Sequence, residues 1–131
     1  MAKKVLLVDD DSDIRTFVRT VLEENSYDAI EAVNGEEGYK KVKEEKPDLI
    51  ILDVLMPRQS GIKMYRLLKI NDELKSVPVI IFSAISKRTF LRSQEALAEF
   101  GGEKVPEPEA YVEKPVEPQE LADIVKTIIS K

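Results

Sequence analysis

Leu49-Ile50-Ile51-Leu52 runs straight into Asp53, and the chain then turns at Met56-Pro57. Four consecutive apolar residues before such a turn read as a strand buried on both faces, the kind found inside a parallel sheet. Asp53 then stands at the carboxyl end of that strand. In open α/β sheets, ligands bind in the crevice beyond the carboxyl ends. A single acid at a strand end is more often a turn residue, so the weight falls on what the other strands bring to the same edge.

Four further strands are expected. Val5 to Val8 ends at Asp9-Asp10-Asp11, and Tyr27 to Ala32 ends near the Asn34-Gly35 turn signal. Val77 to Phe82 ends at Ser83-Ala84, and Ala110 to Glu113 ends at Lys114-Pro115. Helical periodicity fills the intervals. Ile14, Phe17, Val18, Val21 and Leu22 form one apolar stripe after an N-cap at Asp11 or Ser12. Gly35 to Glu45 reads as a polar, loosely packed helix. Arg58 to Gly61 reads as a polar loop, with Ile62, Tyr65, Leu67, Leu68 and Ile70 turned inward on the helix after it. Lys87 to Phe100 carries Phe90, Leu91, Leu97 and Phe100 as contacts. Gly101 to Glu109 reads as a solvated loop, and the last helix starts near Pro118 with Leu121, Ile124, Val125, Ile128 and Ile129 in register.

Strand and helix alternate five times. This predicts one α/β domain over residues 1–131, a doubly wound five-stranded parallel sheet of flavodoxin-like order 2-1-3-4-5 with helices on both faces. All the carboxyl ends then share one edge, which collects Asp9, Asp10, Asp53, Ser83 and Lys114.

Composition removes competing chemistries. The 131 residues contain no Cys and no His, so thiolate and imidazole catalysis are excluded and any metal must be held by oxygen. That favours Mg²⁺, Mn²⁺ or Ca²⁺. The formal charge of -5, with no basic run, argues against nucleic-acid or anionic-membrane binding as the main function. No apolar run is long enough to span a bilayer, and the N-terminus lacks the apolar core of a signal peptide, so a cytoplasmic location is expected.

Three clustered carboxylates repel one another, and a divalent cation relieves that repulsion. Mg²⁺ is usually held by one or two carboxylates and takes phosphate oxygens as further ligands. Lys114 adds a compact positive charge, Ser83 a hydroxyl donor, and an aspartate can form an acyl-phosphate. The set suits phosphoryl transfer, where catalysis is mostly positioning and charge neutralisation. Taken singly, each piece has a plainer reading. Asp9-Asp10-Asp11 could be capping acids, Ser83 a structural hydroxyl, Lys114 a solvated lysine and Tyr111 a strand core residue. Their joint placement at strand ends argues otherwise.

The set Val8-Asp9-Asp10, Leu52-Asp53-Val54-Leu55-Met56-Pro57, Gly61, Ser83-Ala84 and Tyr111-Val112-Glu113-Lys114-Pro115 resembles the receiver domain of bacterial two-component response regulators, of the stand-alone type. The resemblance covers essentially the whole chain. It implies that Asp53 accepts a phosphoryl group from the phosphohistidine of a histidine kinase or phosphotransfer protein. It implies that Asp10 and Asp53 bind Mg²⁺ (or Mn²⁺) directly, Asp9 through water, with the backbone carbonyl of Leu55 as a further ligand. Ser83 and Lys114 would bind phosphoryl oxygens, and Ser83 and Tyr111 would act as the switch. An output protein would read the face made by the fourth helix, fifth strand and fifth helix. Such a domain phosphorylates itself stoichiometrically rather than turning over as an enzyme. The sequence departs from the family in its long Ser83-to-Lys114 segment and in the apolar Leu55, which implies slow phosphoryl loss.

Two other functions compete. A Mg²⁺-dependent aspartyl-phosphate phosphatase or phosphotransferase would use the same chemistry, but Asp53-Val54-Leu55 lacks a second acid two residues on. A binding module that needs no phosphorylation is opposed by the intact acids, Ser83 and Lys114.

Overall fold

The computed structural model describes residues 2–99 and 105–131. Five parallel strands form one sheet: β1 (Lys4–Val8), β2 (Asp28–Ala32), β3 (Leu49–Leu52), β4 (Val79–Ser83) and β5 (Ala110–Glu113). The order is β2-β1-β3-β4-β5, as predicted. Five helices alternate with them: α1 (Ser12–Glu24), α2 (Gly35–Glu45), α3 (Ser60–Ile70), α4 (Lys87–Glu99) and α5 (Pro118–Ile129). Among the described residues, no helix is long and apolar enough to cross a membrane.

Successive strand residues point to opposite faces, so each buried strand feeds two cores. Leu6, Val8, Ile50, Leu52 and Ile81 pack with Val42 of α2, Met64, Tyr65 and Leu68 of α3, and Phe90 of α4. Val5, Leu7, Ile51, Ile80 and Phe82 pack with Val18, Val21 and Leu22 of α1, and Leu121 and Val125 of α5. The β1 and β3 registers pair Val8 with Leu52, which brings Asp9 and Asp53 side by side one residue later.

Capping fixes where two helices begin. Asp11 caps α1, its carboxylate accepting from the N–H groups of Asp13 (2.9 Å) and Ile14 (3.3 Å). Asn34 caps α2 by accepting from Glu37 N–H at 2.8 Å. Each satisfies backbone donors that have no partner within the helix.

Several expectations are corrected. The segment after Met56 is not a polar loop. Pro57–Gln59 forms a 3₁₀ turn and α3 begins at Ser60. That start sets the helix phase by Gly61, so Gly61, Met64, Tyr65, Leu68 and Lys69 face inward. Leu67 and Ile70 lie outside instead, 45% and 49% exposed.

Nor is α2 loosely packed. A Cβ at Gly35 would lie 2.0 Å from the Ser60 carbonyl oxygen, so only glycine allows this approach. Glycines and Val42 make the packed face, which a reading of apolar side chains alone does not register.

The connection before β5 is tied down where it is described. Glu109 accepts from the ammonium of Lys69 (3.1 Å) and from Val79 N–H (2.7 Å), and the Tyr65 hydroxyl donates to the Pro106 carbonyl. The Lys69 side chain is 2% exposed, and a buried cation needs such a partner. The expected roles of Phe100 and of the Leu97 side chain, and residues 101–104 of the connection, lie outside the described residues.

Candidate phosphoacceptor site

The carboxyl edge of the sheet gathers the acids. Asp9 follows β1 and Asp53 follows β3, each 4% exposed, while Asp10 is exposed. One carboxylate oxygen from each of Asp9, Asp10 and Asp53 lies within 4.8 Å of the others. Lys114, directly after β5, reaches across to this group. Its ammonium is 2.8 Å from Asp9 Oδ2 and 3.4 Å from Asp53 Oδ2. The Phe82 ring centroid lies 5.3 Å from the same ammonium, a cation–π distance.

Backbone donors orient the two buried carboxylates. Asp11 N–H donates to Asp9 Oδ1 and Leu55 N–H donates to Asp53 Oδ1, both at 2.9 Å. Leu55 therefore meets Asp53 through its main chain, and its side chain is 56% exposed. A Cβ at Gly61 would stand 2.1 Å from the Asp53 carbonyl oxygen, so the start of α3 lies directly against the strand end. Arg15 donates to the Asp9 carbonyl at 2.9 Å. Nothing in the sequence separated this arginine from an ordinary surface cation of α1.

Electrostatics at the site follow from burial. Burial pushes the Asp9 carboxyl above its ordinary value, against the opposing pull of Lys114 and of Asp11 N–H. The ammonium of Lys114 compensates two buried acids at once. Three oxygens this close suit a hard divalent cation, which prefers carboxylate and carbonyl ligands. The donor set therefore fits Mg²⁺ or Mn²⁺.

Ser83 ends β4 and is fully buried. Among the described residues its hydroxyl has no partner, and unpaired buried hydroxyls are uncommon. Lys114 N–H donates to the Ser83 carbonyl at 2.9 Å, which ties the ends of β4 and β5 together. Tyr111, on β5, donates from its hydroxyl to the Ile85 carbonyl at 2.8 Å, just beyond Ser83. Its ring centroid is 5.6 Å from that of Phe90. The sequence-predicted residues thus converge at one end of the sheet, with Tyr111 alongside.

Burial raises the Tyr111 hydroxyl to about 12 from its ordinary 10.0, with the Glu113 and Asp53 charges adding to the effect. Between these pH values the unfolded chain has released this proton and the folded chain retains it. Stability contributed by the protonated hydroxyl is then lost as pH rises from about 10 toward 12. Tyr111→Phe is expected to flatten this alkaline decline, measured as urea midpoints across that range. An identical decline in the variant would contradict the burial of this hydroxyl.

Comparison with known proteins agrees with this geometry. Residues 5–126 match the family model described as the response regulator receiver domain. The chain is 35% identical over its whole length to the alkaline phosphatase synthesis transcriptional regulatory protein PhoP of Bacillus subtilis, and it spans 50% of that protein. It is 30% identical to the polar-differentiation response regulator DivK of Brucella anthropi, with 98% of each chain covered. Among solved structures, it is similar to the signal receiver domain of a signal transduction histidine kinase from Syntrophus aciditrophicus. The TM-score is 0.82 at 32% identity, covering 98% of this chain and 91% of that one. The chain belongs to the receiver domain family of two-component response regulators.

Proposed function

We propose that Asp53 is the phosphoacceptor of a Mg²⁺-dependent signalling switch. The observation that carries this is the grouping of the Asp9, Asp10 and Asp53 carboxylates within 4.8 Å, with Lys114 bridging Asp9 and Asp53. An Asp53 carboxylate oxygen attacks phosphorus and forms the acyl-phosphate as the P–N bond of a phosphohistidine breaks. The imidazole leaves with the bonding pair and takes a proton. Asp10, Asp53 and the Leu55 carbonyl would hold Mg²⁺ or Mn²⁺, with Asp9 acting through water. Bound there, the ion supplies charge neutralisation for the phosphoryl oxygens.

Lys114 would then move from pairing acids to pairing a phosphoryl oxygen, and the unpartnered Ser83 hydroxyl would gain an acceptor. Tyr111 is bonded to the loop that follows Ser83, so a shift of that loop changes what holds the tyrosine. The donor is a histidine kinase or phosphotransfer protein, and an output protein reads the α4–β5–α5 face. The process is stoichiometric and takes place in the cytoplasm without direct nucleic-acid binding. Beryllofluoride with Mg²⁺, an acyl-phosphate mimic, is expected to shift the amide NMR signals of Ser83, Ala84 and Tyr111. No shift at these residues in the fully loaded protein would oppose the switch.

Leu55 adds a kinetic feature. Its exposed apolar side chain follows Asp53 by two residues and would stand beside the phosphoryl group, hindering an attacking water. Leu55→Asn, which offers that water a hydrogen-bond partner, is expected to shorten the phospho-Asp53 lifetime several-fold. An unchanged lifetime would show that Leu55 does not control hydrolysis.

A further inference from the structure

We infer that the groove between α2 and α3 is a binding site for a small amphipathic organic anion, such as an aryl carboxylate. The groove has a volume of about 680 Å³, within the range of small-molecule sites. Tyr39 and Met64 help line it, and Val33 and Leu67 contribute exposed apolar surface, 42% and 45% accessible. The spacing of its walls is fixed by the backbone contact of Gly35 with Ser60, so the space is formed before any ligand arrives.

Charge selects the occupant. From Pro57 to Ile70 the chain carries Arg58, Lys63, Arg66 and Lys69 and no acid, in a protein of net charge -5. Lys69 is held by Glu109, and Arg66 donates to Gln94. Arg58 and Lys63 both line the groove, and among the described residues neither has a hydrogen-bond or ion-pair partner. Arg58 is held at φ 60° in the 3₁₀ turn, an uncommon conformation for a residue with a side chain. The acids that line the groove are Asp10 and Glu36. Asp10 belongs to the carboxylate group that a divalent cation would neutralise. An apolar body with one carboxylate therefore satisfies the apolar surface and the two unpaired cations together.

The site is tested by amide NMR titration with naphthoate, run beside uncharged naphthalenemethanol and cationic naphthylmethylammonium. The titration needs no phosphorylation, so its failure is separate from failure of the phosphoacceptor reading. Naphthoate is expected to bind saturably with a dissociation constant on the order of 1 mM or tighter, shifting signals from Val33 to Tyr39 and from Met56 to Leu67. Lys63 and Leu67 are exposed, so variants there should fold. Lys63→Gln is expected to weaken binding about threefold to fivefold, and Leu67→Asn to weaken binding of charged and neutral compounds alike. Equal affinity for all three compounds, or shifts centred elsewhere, would overturn the proposal. So would shifts confined to Leu67 and Ile70 without Tyr39 and Met64, which would mark the face as a protein-docking surface.

Discussion

Lys114→Ala is expected to slow acyl-phosphate formation on Asp53 by about 10²–10³-fold, the range found when one preorganised donor to a developing oxyanion is removed. The ammonium lies 2.8 Å from Asp9 and 3.4 Å from Asp53, both buried carboxylates. Among the described residues, no other cation forms an ion pair with either. Without it the three carboxylates face one another uncompensated, so Mg²⁺ is expected to bind more tightly even as the reaction slows. That split separates loss of the lysine from loss of the fold, which would weaken both. Lys114→Arg is expected to restore little, because a planar guanidinium does not reproduce a compact ammonium. Acetyl-phosphate labelling rates, beside a calorimetric Mg²⁺ titration, measure the two quantities. An unchanged labelling rate would remove Lys114 from the proposed chemistry.

Phe90→Ala is expected to cost about 3–5 kcal/mol, the usual range for emptying a buried aromatic site. Phe90 is fully buried in the core shared by β1, β3, β4, α2, α3 and α4. Its ring meets Tyr65 edge-on at 5.5 Å and Tyr111 at 5.6 Å. Removing it leaves a cavity between two tyrosines that are each held by a backbone carbonyl, through Pro106 and Ile85. Those hydrogen bonds oppose collapse of either ring into the space. Since domains are stable by only about 5–15 kcal/mol, the variant should be marginal. Urea unfolding measures the loss. A loss below about 1 kcal/mol would mean that α4 does not depend on this contact.

The parts of the protein that the sequence exposed share one physical property: each is local. Val5–Val8 and Leu49–Leu52 are apolar on both faces, so their strands, and the acids that follow them, could be placed without knowing the packing. Asp9, Asp53, Ser83 and Lys114 were then brought together by topology alone, since parallel strands put all their carboxyl ends on one edge.

What was not legible depends on contacts between distant residues. Residue type alone turns Leu67 and Ile70 inward, whereas Gly61 packing against the Asp53 carbonyl sets the phase of α3 and leaves them outside. Residue type does not reveal that contact. The tightness of α2 rests on an absent side chain at Gly35. The Lys69–Glu109 pair joins residues forty positions apart, so Glu109 read as one more solvated acid.

Intact mass after incubation with acetyl phosphate and Mg²⁺ tests the central claim most directly. The wild-type chain is expected to gain one phosphoryl group, and Asp53→Asn none, as is the wild type with EDTA. An equal gain by Asp53→Asn would contradict Asp53 as the acceptor. No gain by the wild type, with amide spectra that also ignore beryllofluoride and Mg²⁺, would contradict the switch itself.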